Sequence, residues 1–229
     1  MAAFAPGSWL RSREVALLQA AVHVGALLPL ALLIWAGLHG NLTANPIQAI
    51  TARTGKTALV LLVLSLACTP ASTIFGFRRA LRWRRPLGMY AFLYVSLHFL
   101  TFSVLDYGLD PGLLRQAIFE KRYALAGLAA GLLLVPLAMT ATRGWMRRLG
   151  KNWKRLHKLV YLAALLAVVH YVWLVKSDTR VPYLYGAILA VLLMARTRPV
   201  KRGIAALQRR ARGQTTSAEP KAVRSRPSV

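Results

Sequence analysis

The sequence predicts an all-α membrane protein, a bundle of six transmembrane helices with both termini in the cytoplasm, and three observations carry that prediction. Only 16% of the 229 residues are charged and 56% are hydrophobic, whereas an average soluble domain has about 25% charged residues. That composition excludes a disordered chain and argues against an ordinary soluble enzyme. Charged residues divide the chain into six uncharged stretches, 15–52, 57–77, 86–105, 123–142, 159–175 and 181–195, to be compared with the ~20 apolar residues that cross the hydrocarbon. The cations are unevenly placed: segments 1–14, 78–85, 143–158 and the chain from Arg196 carry 24 of the 31 Lys and Arg residues, and the alternating loops carry 7. This is the positive-inside pattern, and an even number of spans then leaves both ends inside.

The first stretch is apolar from Val15 to Leu38, 24 residues, longer than the ~7–15 residues of a signal-peptide core, so it reads as a retained helix. The second follows an Asn45-Pro46 turn signal and a helix start before Leu59. The third, fourth and fifth are flanked by Arg85, by Arg122 and Arg143, and by Lys158 and Lys176. The sixth is short and needs snorkelling by Arg196 and Arg198. Pro29, Pro70 and Pro136 fall inside spans, where neighbouring helices can satisfy the carbonyls they free. Gly127 and Gly131 form a small-xxx-small pair that favours close helix approach. Trp35, Trp145, Trp153 and Trp173 stand near span ends and read as interface anchors. The organisation expected is therefore a cytoplasmic N-terminus (1–14), a six-helix domain (15–195) and a basic cytoplasmic tail (196–229), disordered or resting on anionic lipid.

A net charge of +25 and a pI near 11.7 would in a soluble domain suggest nucleic acid. Here topology accounts for the charge, so no nucleic-acid partner is expected and membrane lipid is. The single cysteine, Cys68, excludes a disulfide framework or an all-cysteine metal site. No internal repeat is evident, and no G-x-G-x-x-G fingerprint occurs, so a nicotinamide-binding domain is not expected.

Ionisable residues within spans mark function by default. The span interiors hold no Asp, Glu, Lys or Arg, which argues against ion-coupled transport; they hold His23, His98 and His170, with His157 at the start of the fifth stretch and His39 in the first outer loop. Neutral imidazole is a good axial ligand for haem iron. At 1.5 Å per residue, His98 lies about 20 Å beyond Arg85 and His170 about 18 Å beyond Lys158, a matched depth for two ligands of one haem. The competing reading is a pair of buried histidines bonded to backbone carbonyls. His157 lies 13 residues before His170, about 140° away on an ideal helix, and reads either as a ligand or as a loop histidine in a basic cluster. His23 reads as a satisfied core histidine or as a further ligand. The inner segments RRALRWRR (78–85) and RGWMRRLGKNWKRLHK (143–158) interleave arginine with tryptophan, suiting lipid contact, a phosphate-bearing redox cofactor or an acidic donor protein. Arg53 and Lys56 could meet a haem propionate or a docking partner, or merely flank the second helix. No residue is read as catalytic.

The run RRLGKNWKRLHKLVYLAALLAVVHYVW (147–173), the segment RRPLGMYAFLYVSLHF (84–99) and the NP…TGK…ALVLLVLSLACTP stretch (45–70) resemble the MsrQ (YedZ) family of the ferric-reductase-like transmembrane superfamily, over about residues 12–200. The resemblance implies a six-helix haem-b electron-transfer subunit in the bacterial inner membrane. Such a subunit takes electrons from the quinone pool or a cytoplasmic flavin reductase and passes them to a periplasmic molybdenum-cofactor reductase that repairs methionine sulfoxide in proteins. It also implies FMN, without placing it on residues, and haem-iron ligation through His98, His157 and His170. Unlike the larger ferric reductases and NADPH oxidases, the chain has no second histidine in the third helix and no dehydrogenase domain. Two alternatives stand beside this reading: a quinol-reactive cytochrome b anchor of another oxidoreductase, and a non-haem transporter or scaffold, against which the missing buried carboxylates count.

Overall fold

The computed structural model describes residues 6–197 and, beyond them, 199, 200, 202–204 and 206. The expectations for the tail beyond residue 206, and for residues 1–5, lie outside the described residues, while the described tail residues 199, 200, 202–204 and 206 are helical.

The chain folds as α1 (Pro6–Leu38), α2 (Pro46–Ile74), α3 (Ala80–Leu100) running straight into a π-helical turn (Thr101–Asp106), α4 (Pro111–Glu120), α5 (Arg122–Met139), α6 (Arg143–Leu149), α7 (Lys151–Leu156), α8 (Leu159–Leu174) and α9 (Arg180–Met194). No strand occurs among the described residues. Among the described residues, five segments are long and apolar enough to cross a membrane: Val15–Leu38, Pro46–Ile74, Ala80–Asp106, Arg122–Met139 and Lys151–Leu174. The sixth, α9, is apolar but has only 15 residues. Leu17, Val24, Leu132, Leu165, Leu184 and Val191 are at least half exposed. A surface this apolar suits lipid rather than water, as expected of a multi-pass membrane protein.

One boundary departs from the sequence reading. The second helix starts at Pro46, well before Leu59, because the Asn45 side chain accepts a hydrogen bond from the Gln48 N–H (3.0 Å) and Pro46 takes the first helical position. Arg53 and Lys56 therefore lie within the helix rather than marking its edge. The same device opens α4, where Asp110 caps the Leu113 N–H at 2.9 Å and Pro111 follows.

Four helices form the centre. The most extensive contacts are α2 with α3 and α5 with α8; α3 also meets α5, α1 lies over α2 and α3, and α9 lies over α8 and α2. Small side chains allow this closeness, since Ala91, Ala163 and Ala164 are completely buried. Hydrogen bonds between helices replace the hydrophobic drive that lipid does not supply. The Ser65 hydroxyl donates to the Arg84 carbonyl (2.7 Å), Trp153 Nε1 to the Thr140 carbonyl (3.0 Å), and the buried Tyr94 hydroxyl to the Ala26 carbonyl (2.8 Å). Tyr94→Phe should lower thermal stability in detergent by about 0.6 kcal/mol, and at most about 2, with retained α-helical circular dichroism; an unchanged melting curve would remove this bond from the account.

Pro70 shows how a proline is accommodated. Lacking an N–H, it leaves the Leu66 carbonyl without its helical donor, and the Arg196 guanidinium, just past α9, donates to that carbonyl instead.

Candidate functional site

His98 on α3 and His170 on α8 meet inside the bundle, their ring centroids 6.2 Å apart and their planes at 82°. Counting residues from the flanking charges anticipates this match in depth. Each ring is held by the same arrangement. His98 Nδ1 is 2.9 Å from the Thr51 carbonyl of α2, and His170 Nδ1 is 2.6 Å from the Tyr123 carbonyl of α5. A carbonyl only accepts, so in both cases Nδ1 carries the proton and donates, leaving Nε2 as a bare lone pair. That is the tautomer a metal ligand needs, and the carbonyl also raises its basicity.

The rings can lie this close to the opposing helices because glycine stands one turn beyond each accepting carbonyl. A Cβ on Gly55 would come within 3.0 Å of His98, and one on Gly127 within 2.7 Å of His170 Nδ1. A Cβ on Gly131 would only touch Val95, at 3.5 Å. The Gly127–Gly131 pair thus serves a histidine at one end and ordinary helix packing at the other.

The sequence separation between histidine and carbonyl is 47 residues in both halves. The α2–α3 and α5–α8 pairs therefore repeat one device, a feature not evident from the residues alone. The signal was present as Thr51-x-x-x-Gly55 and Tyr123-x-x-x-Gly127, each followed at the same interval by a histidine. Amino-acid identity hides it, since the accepting groups are backbone carbonyls.

Two imidazoles binding one ion from opposite sides, at metal–nitrogen distances of about 2.0–2.1 Å, hold their ring centroids about 6.3 Å apart. The observed spacing fits. Among the described residues no group of three or more His, Cys, Asp or Glu could hold a bare metal ion. Two imidazoles are too few for a zinc-type site; they suit an iron whose remaining ligands come from a macrocycle.

The other sequence-predicted histidines lie apart from the pair. His157 caps α7 ahead of the first turn of α8, so ideal-helix geometry relative to His170 does not apply; its Nδ1 donates to the Trp153 carbonyl (3.2 Å) and its ring stacks on Trp153 at 4.0 Å. His23 pairs Nδ1 with the Tyr90 hydroxyl at 2.8 Å. His39 donates to the Trp35 carbonyl (2.9 Å) on an exposed turn. Arg53 and Lys56 line a cavity of about 250 Å³ with Pro29, Leu33 and Tyr94. Just after His98, the π turn from Thr101 breaks the regular helix, with Thr101 and Ser103 hydroxyls bonded back to the Leu97 and Phe99 carbonyls.

Residues 25–168 match the family model described as ferric reductase like transmembrane component. The chain is 48% identical over 178 residues to a protein of Xanthomonas euvesicatoria pv. vesicatoria, covering 75% of this chain and 82% of that one. It is 46% identical over 200 residues to one of Rhodospirillum rubrum, covering 86% and 94%. Both relatives carry the name protein-methionine-sulfoxide reductase heme-binding subunit MsrQ. No solved structure matches the chain.

Proposed function

Since the chain belongs to the MsrQ family of ferric-reductase-like transmembrane proteins, we propose that it carries haem b between His98 and His170 and passes electrons across the bacterial inner membrane to a periplasmic methionine-sulfoxide reductase. The observation that carries this reading is the histidine pair itself: 6.2 Å between centroids, with each Nδ1 committed to a backbone carbonyl. A haem held by His98 and His170 would supply a one-electron couple, and substrate chemistry would fall to the partner. Thr51 and Tyr123 orient the two imidazoles through their carbonyls, and Gly55 and Gly127 leave the rings room to sit against α2 and α5.

The charge distribution supports a direction for this transfer. The segments richest in Lys and Arg, 78–85 and 143–158, lead into α3 and α8 at the end away from the histidine pair. If that end is cytoplasmic, the donor docks there and the pair stands toward the periplasm. A quinol, or a flavin reductase supplying FMN, would meet the Arg- and Trp-bearing face of α6 and α7, where Arg148 lies 5.7 Å from the Trp145 ring centre. The acceptor on the opposite face is read as a molybdenum-cofactor subunit, by the family resemblance.

The test is a reduced-minus-oxidised spectrum of haem-replete protein in detergent. Sharp b-type bands are expected, with reoxidation on addition of the periplasmic reductase and methionine sulfoxide. Absence of b-type bands would sink the reading. Bands without reoxidation would shift it to a cytochrome b anchor for another oxidoreductase.

A further inference from the structure

A second constellation lies at the other end of the bundle. Thr69 of α2, Arg84 of α3, Tyr161 of α8 and Leu193, Arg196 and Thr197 at the end of α9 surround a cavity of about 350 Å³. Arg196 is not a loose surface cation. Its guanidinium donates to the Leu66 carbonyl freed by Pro70 and to the Tyr161 hydroxyl, and it lies 5.1 Å from the Tyr161 ring centre. Two polar atoms there are shielded from solvent and have no partner: Arg196 Nε and Thr69 Oγ1. Buried polar atoms are ordinarily satisfied, so two orphans at one cavity call for a group that supplies acceptors.

Charge points the same way. Burial pulls the Arg196 guanidinium down from its ordinary value, and although Tyr161 opposes this, the charge of Arg84 adds to the depression. The acidic residues whose side chains are described, Asp106, Asp110, Glu120 and Asp178, are not among those lining the cavity. Two guanidiniums close enough to feel each other, in a site partly removed from water, are stabilised by an anion between them.

We propose that this cavity binds the phosphate group of an organic phosphate, held between Arg84 and Arg196 with the Thr69 hydroxyl donating a further hydrogen bond. Guanidinium forks and a hydroxyl match a phosphate oxyanion with several acceptor oxygens. The volume is at the lower end of the ~300–1,000 Å³ typical of small-molecule pockets, larger than a bare ion needs. The group is either an anionic phospholipid headgroup or a soluble phosphate ester, since the cavity opens at the end of the bundle where membrane headgroups lie. A carboxylate of haem at the histidine pair does not reach it, because Arg84 lies 14 residues before His98, about 21 Å along α3. The proposal is thus independent of the haem reading.

The full chain, delipidated in detergent, is offered phosphatidylglycerol and, separately, inorganic phosphate. Binding is read by native mass spectrometry for the lipid and by equilibrium dialysis for phosphate, with haem per protein measured in parallel. One bound equivalent of at least one probe is expected. Lipid that inorganic phosphate does not displace identifies a headgroup site; binding of phosphate with displacement of the lipid identifies a soluble ester. Arg84→Gln should weaken binding on the order of ten-fold or more, and Thr69→Val less, with haem content unchanged. Arg196→Gln also removes the donor to Leu66 and can unfold that end of α2, so Arg84→Gln and Thr69→Val, which leave that contact in place, decide the matter. Binding of neither probe, equal binding by wild type and Arg84→Gln, or parallel loss of haem would overturn the proposal.

Discussion

His170→Ala is expected to reduce haem content to background, and His98→Ala to do the same, while His39→Ala retains the wild-type amount. Each of the first two removes one of the two imidazoles whose ring centroids lie 6.2 Å apart, and no third His, Cys, Asp or Glu among the described residues joins the pair to replace it. His39, bonded to Trp35 on an exposed turn, takes no part. The measurement is haem per protein after purification, from the reduced b-type absorbance. A melting curve on each variant separates loss of ligand from loss of fold. Equal haem in all three variants would refute the ligand assignment. His157→Ala is an informative companion, because its ring stacks on Trp153; haem loss there as deep as in His170→Ala would mean the pair is not the sole site of ligation.

The second large effect is expected at a residue with no side chain. Gly127→Ala places a methyl group 2.7 Å from His170 Nδ1, a separation real Cβ atoms essentially never show. The ring must shift, and the Nδ1 bond to the Tyr123 carbonyl, 2.6 Å long, breaks or lengthens. Disturbing such an orienting partner typically lowers metal affinity about 10–100-fold, and over-packing costs about 1–3 kcal/mol in stability. Gly55→Ala should act the same way on His98 but less, since the approach there is 3.0 Å. Gly25→Ala is the control: nothing lies within 4 Å of its Cβ, and alanine is favoured over glycine in a helix by about 0.5–1 kcal/mol. Haem titration should therefore rank Gly25→Ala with wild type, then Gly55→Ala, then Gly127→Ala. Gly127→Ala binding haem as tightly as Gly25→Ala would show that the close approach does not position the ligand.

Part of the candidate site is legible in the sequence. His98 and His170 stand out because an ionisable side chain in an apolar span is rare, and their matched depth follows from counting residues along two helices. His157 was harder to place. Ideal-helix geometry put it on another face from His170, but the chain turns at His157 and Lys158 between α7 and α8, so the extrapolation ran across a break. The starting point of α2 was displaced for a related reason: Arg53 and Lys56 read as an edge, although a long cation can sit within a helix near the headgroups without ending it. Helices α4, α6 and α7 went unassigned because each is short and polar enough to pass for a loop.

What belongs to the chain alone is the multi-pass, all-helical character, read from its apolar stretches and their length; five of the six expected stretches are helices long enough to cross a membrane among the described residues. Apolarity and length are sums over neighbouring residues, and the bilayer acts on each stretch in turn. What the fold added depends on which helices are neighbours. Thr51 and Tyr123 act through carbonyls that every residue possesses, 47 positions from the histidines they orient. Gly55 and Gly127 act by the absence of an atom where a ring from another helix arrives. Arg196 satisfies the Leu66 carbonyl across 130 residues, a partnership created by Pro70 and visible only once α9 lies against α2. Backbone acceptors, missing methyl groups and freed carbonyls have no residue-type signature, so tertiary packing alone turns them into a site.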